Sequence, residues 1–114
     1  MLTLEEIHKG IFTELRTLDQ LVDEVREAAG EQALAEADYK VSFARARLSI
    51  RALAEDKPTV GQVDDEAEER TKDERLRYLI ASNRLTVCRE ALRASQAKLD
   101  GWRSLLSSFK LAGA

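Results

Sequence analysis

Apolar residues recur along this chain at alternating steps of three and four, the repeat of helices that pack side by side. The first run is Leu4, Ile7, Ile11, Leu15, Leu18, Val22, Val25 and Ala29, a heptad register with one four-residue stutter at Leu15. Thr3-Leu4-Glu5-Glu6 ahead of it reads as a capping box, with Thr3 as N-cap and Glu6 at the third position. The pattern predicts an acidic helix over 1–29, with Gly10 tolerated inside it and a break or kink at Gly30. A second helix is predicted over 31–54. One of its stripes is Tyr39, Phe43, Ala46, Ile50 and Leu53; another is Val41, Ala44, Leu48 and Ala52. Two apolar stripes on one helix imply more than one neighbour.

Glu55-Asp56-Lys57-Pro58 marks the clearest boundary, within a loop expected over 55–63. Thr59-Val60-Gly61-Gln62 either caps the next helix or lies in that loop, with the helix then starting at Asp64. A long helix follows over 64–110, with Gly101 as its candidate kink. Along it Tyr78, Ala81, Leu85, Cys88, Leu92, Ser95, Leu99, Trp102, Leu106 and Phe109 alternate steps of three and four without exception. Tyr78, Leu85, Leu92, Leu99, Trp102, Leu106 and Phe109 are the expected packing residues, in a core held within one chain or shared between subunits. The positions beside this stripe include Arg77, Arg84, Arg89, Lys98, Arg103 and Lys110, and none is acidic. A parallel copy would therefore meet like charge. The complement is the first helix, with Glu14, Asp19, Asp23, Glu24 and Glu27, so the two helices are expected to pack together.

Composition agrees with this all-α reading, a long-helix hairpin or a three-helix coiled-coil-like bundle in one domain over 1–114, expected to be oligomeric. Aromatics make up only 5% and there is one proline, while charged residues reach 34%, the balance of long helices. No apolar run is long enough to span a membrane. The opening residues lack the basic-then-apolar order of a secretion signal, and a lone Cys88 permits no internal disulfide. These features predict a cytoplasmic location.

Catalytic chemistry finds little support. Cys88 lies in the apolar stripe, where a neutral thiol is ordinary. Glu5 and His8 form a single E-x-x-H, whereas di-metal carboxylate bundles need two plus further glutamates, and His8 is the only histidine. No phosphate-binding glycine loop occurs. No enzyme activity, metal or cofactor is expected.

Charge supplies the remaining candidate. The net charge is −3, yet residues 39–54 hold Lys40, Arg45, Arg47 and Arg51 and no acid. Lys40, Arg47 and Arg51 share a helical face at steps of seven and four, with Arg45 to the side. Such bases either contact successive phosphates of single-stranded DNA or pair with acids of the first helix. Tyr39 and Phe43 nearby either stack on bases or, as their stripe favours, belong to the core.

Ala44-Arg45-Ala46-Arg47-Leu48, the polar loop, Tyr78-Leu79-Ile80-Ala81-Ser82 and the end Gly101-Trp102 through Phe109-Lys110-Leu111 together carry a resemblance. The chain resembles small helical proteins of bacteriophage early regions and, more distantly, UvsY-type recombination mediators, over about residues 30 to 112. The resemblance implies a homo-oligomer in the host bacterial cytoplasm. It would bind single-stranded DNA and help load a RecA-like recombinase in place of single-strand-binding protein. By position Arg45 and Arg47 match that family's DNA-binding run, and the C-terminal helix matches its oligomerisation region. Ser49 and Ile50 stand where the family carries an aromatic pair. The alternative is a helical adaptor or structural subunit that binds only protein.

Overall fold

The computed structural model describes residues 2–113 and is all-α. Helix α1 is Leu4–Leu53, α2 is Val60–Arg70 and α3 is Lys72–Gly113. Among the described residues there is no strand.

Helix α1 starts where the sequence predicts. Thr3 Oγ1 accepts from the Glu6 N–H at 3.2 Å, and Glu6 Oε2 accepts from the Thr3 N–H at 3.1 Å. It then runs for 50 residues, so the expected break at Gly30 does not occur. The seam explains why. Ile7, Ile11, Glu14, Leu18, Leu21, Val25, Ala28, Gln32, Ala35, Tyr39, Ser42 and Ala46 are all buried or half-buried. They keep one uninterrupted heptad register, with Leu15, Val22 and Ala29 beside it. Gly30 falls off that seam into open space. Packing on both sides of it outweighs a helix penalty of about 1 kcal/mol.

The return of the chain differs from the single helix expected over 64–110. Thr59 caps α2, its Oγ1 accepting from the Gln62 N–H at 3.2 Å while the Gln62 side chain accepts from the Thr59 N–H at 3.0 Å. The loop is therefore shorter than 55–63, and helix resumes at Val60. Helix α2 stops at Thr71, whose backbone leaves the helical region at φ −110°, ψ 17°. The carbonyl of Ala67 accepts from both the Thr71 N–H at 3.0 Å and the Thr71 hydroxyl at 2.7 Å. A hydroxyl bonded back to the preceding turn competes with regular helix and bends it. Helix α3 then continues through Gly101 to Gly113.

The chain divides into two compact units. The first joins the chain up to Glu27 with the chain from Thr86 onward. Here α1 and α3 run antiparallel, with Gly10 under the Trp102 indole and Glu14 beside Ser95. Ile7, Ser95 and Leu99 are buried. The acidic N-terminal and basic C-terminal segments thus pack together within a single chain.

The second unit is Ala28–Leu85. Its antiparallel pairing is set by Glu31 with Arg84, by Tyr39 with Tyr78 and by Arg47 with Asp64. At the loop end, Ile50, Val63 and Ala67 form a small core with Phe43 and Ala46 packed against it. This core joins the last turns of α1 to α2.

Candidate nucleic-acid interface

The four predicted bases all sit on α1 within the second unit, but on two different flanks. At 3.6 residues per turn, Lys40, Arg47 and Arg51 lie on one flank and Arg45 on the other. Between the flanks runs the back of the helix, Leu34, Ala37, Val41, Ala44 and Leu48, all exposed.

The side chain of Lys40 is 71% exposed, and its Nζ donates to Glu36 Oε1 at 2.7 Å, one turn back. That hydrogen bond, reinforced by the opposite charge, raises the Lys40 pKa and lowers that of Glu36. Such exposed pairs contribute little and exchange readily. Arg47 is the most engaged of the four. Its Nε lies 3.0 Å from Asp64 Oδ1 of α2, an ion pair shielded from solvent whose alignment falls short of a hydrogen bond. Its guanidinium carbon stands 6.0 Å from the centre of the Phe43 ring. Pairing of this kind was expected with acids of the first helix; the acid is instead Asp64, which reaches Arg47 because α2 begins at Val60. Arg45 and Arg51 are exposed, and among the described residues neither forms an ion pair.

The aromatic neighbours are taken up by packing. Tyr39 stacks on Tyr78 with centroids 6.0 Å apart and meets Phe43 edge-on at 6.1 Å. Phe43 in turn lies against the Ile50, Val63 and Ala67 core. Both rings are half-buried in these contacts.

Of the stripe on α3, Leu85 and Leu99 are buried, and Tyr78, Leu92, Trp102 and Leu106 are half-buried. Phe109 is exposed. It lies seven residues beyond Trp102, while α1 begins only six before Gly10, so Phe109 overhangs the end of its partner. Beside the stripe, Arg84 pairs with Glu31. Glu14 instead accepts from the Ser95 hydroxyl at 3.1 Å.

His8 is exposed and Cys88 half-buried. Among the described residues no cluster of three or more His, Cys, Asp or Glu is placed to hold a metal, and no helix is long and apolar enough to cross a membrane. Compared with family models, curated proteins and solved structures, the chain matches none.

Proposed function

We propose that this protein is an oligomeric, single-stranded-DNA-binding recombination mediator that assists a RecA-like recombinase against single-strand-binding protein. One observation carries the reading: the flank of α1 bearing Lys40, Arg47 and Arg51 is basic over three helical turns and contains no acid of its own from residue 39 to 54. Arg51 is exposed, the acid that holds Lys40 is a surface partner that phosphates displace at small cost, and Arg47 is held by Asp64 with its remaining guanidinium nitrogens left for contact. Of the two arginines that the resemblance matches to a DNA-binding run, Arg47 lies on this flank and Arg45 on the other. With both nearby rings packed away, contact with the DNA falls to its backbone, and binding is insensitive to base sequence.

The test is fluorescence anisotropy of a labelled oligo-dT at two salt concentrations. Binding should weaken steeply with salt and should fall when Arg47 and Arg51 are replaced by Glu. A correctly folded protein that fails to bind at low salt removes this reading.

The second reading, a helical adaptor acting through protein contacts alone, is favoured by the apolar residues left exposed on both long helices of the second unit. Leu34, Val41 and Leu48 lie on α1, and Leu76 and Ile80 on α3. It predicts a stable assembly with no affinity for oligo-dT.

A further inference from the structure

The back of α1 in the second unit has the form of half an interface. Leu34, Ala37, Val41, Ala44 and Leu48 follow steps of three and four, on the side of the helix opposite the seam that holds Tyr39 and Ala46. Leu34 is 70% exposed, Val41 48% and Leu48 67%. Single exposed leucines are ordinary on a protein surface, but a heptad stripe about four turns long is not.

The flanks of that stripe say what covers it. On one flank stand Asp38 and Arg45, seven residues apart, opposite in charge, and without an ion pair among the described residues. They line a common shallow groove with Glu74 and Arg77. Two helices crossing antiparallel through a heptad stripe bring matching flanks together. A residue near one end then meets a residue near the other end of the second copy.

We propose that a second copy of this chain packs antiparallel along the α1 stripe, with Asp38 paired to Arg45 of the second copy and Arg45 to Asp38 of the second copy. A two-fold axis crossing between Val41 and Ala44 sets Val41 against Ala44 of the second copy and Ala37 against Leu48 of the second copy. The same register satisfies both charge pairs at once. A parallel arrangement does not, because Asp38 and Arg45 would each meet the opposite flank, where Lys40 and Arg47 stand.

This arrangement also acts on the other flank. The two-fold axis brings the Lys40 and Arg47 edges of both copies side by side, forming one broader basic band that Arg51 extends at each end. Within each copy Glu36 and Asp64 temper the repulsion, and a polyanion laid along the band would relieve the rest. The inference about the dimer does not depend on DNA binding, since its charge pairs and apolar contacts use other residues.

Analytical ultracentrifugation of the full chain without nucleic acid, over a wide concentration range, tests it. The stripe falls short of the area of a standard interface, about 800 Å² per partner, so a reversible, concentration-dependent dimer is expected. Val41→Asp with Leu48→Asp should give a monomer whose helicity by circular dichroism is unchanged. Asp38→Arg alone and Arg45→Asp alone should each weaken the dimer about tenfold or more by setting like charges together. The double variant D38R/R45D should restore it, because exchanging both charges recreates both pairs. A wild-type chain that stays monomeric overturns the proposal. So does an assembly that survives Val41→Asp with Leu48→Asp, or a double variant no tighter than the singles.

Discussion

The indole of Trp102 lies directly over the backbone of Gly10, in space that the Cβ of any other residue would occupy. A Cβ built at Gly10 falls 2.7 Å from Trp102 Cδ2 and closer still to other ring atoms, well inside contact distance. The missing side chain is a notch in α1, and the ring of α3 fills it.

Gly10→Ala therefore carries two opposed effects. Helix propensity favours alanine by about 1 kcal/mol, whereas forcing the indole aside costs about 1–3 kcal/mol. The variant should be less stable than the parent in thermal or urea unfolding, with a shift in Trp102 emission. In a Trp102→Leu background the sign should reverse, and the same substitution should stabilise by up to about 1 kcal/mol. Equal effects in both backgrounds would mean that the ring and the glycine do not interact.

Ser95 and Glu14 form a polar rung in an otherwise apolar seam, Ser95 being only 3% exposed. Removing one partner leaves the other without its bond, so Ser95→Ala should destabilise by about 1 kcal/mol. Replacing both, as Glu14→Leu with Ser95→Ala, should be neutral or stabilising, since leucine suits a heptad position of α1. Denaturant unfolding of the single and double variants decides it.

The pair between Glu36 and Lys40 gives a pH signature. The Lys40 ammonium holds the Glu36 carboxyl below its ordinary value through the hydrogen bond and its charge. A group whose folded pKa is depressed favours the fold above its unfolded value and loses that contribution as pH falls through the folded value. Carbon-detected NMR titration should find the Glu36 midpoint below that of a free glutamate, and Lys40→Met should move it upward. An unmoved midpoint would contradict the pair.

If the basic flank binds DNA, releasing its bases should strengthen binding. Glu36→Gln frees Lys40, and Asp64→Asn frees Arg47. Glu36→Gln should tighten oligo-dT binding by about two- to fivefold, because an exposed pair is worth at most ~1 kcal/mol, and Asp64→Asn should change it in the same direction. Anisotropy at low salt is the measurement, and unchanged or weaker binding in both variants would count against the flank.

Thr59→Ala should lower stability by about 1 kcal/mol through loss of the α2 cap, with Gln62 and Val63 amides exchanging faster with solvent. An unaltered exchange pattern would show that the box contributes nothing.

Both capping boxes, Thr3 with Glu6 and Thr59 with Gln62, are legible in the sequence because each is closed within four residues. The stripe from Tyr78 to Leu106 is legible for a similar reason, as its repeat recurs on one helix. The seam of α1 is harder to see. It runs through Glu14, Gln32 and Ser42, so apolarity alone selects Leu15, Val22 and Ala29 and places a break at Gly30. The role of Gly10 leaves no local trace, since a tolerated glycine and a required one look alike until Trp102 is set across from it. The spacing of Lys40, Arg47 and Arg51 shows their common flank. That Arg47 is held by Asp64 depends on where α2 begins, and this turned on Thr71 and Thr59 rather than on any periodicity.

Heptads are interchangeable units, and two helices joined through them can in principle slide past one another by seven residues and find an equally apolar match. The notch at Gly10 denies that freedom. A slide of one repeat in either direction would carry the indole from Gly10 to Thr3 or to Thr17, both branched at Cβ and neither able to receive it. The single missing methyl group thus works as a key cut for one position, fixing the alignment of a pairing whose repeating pattern leaves it open.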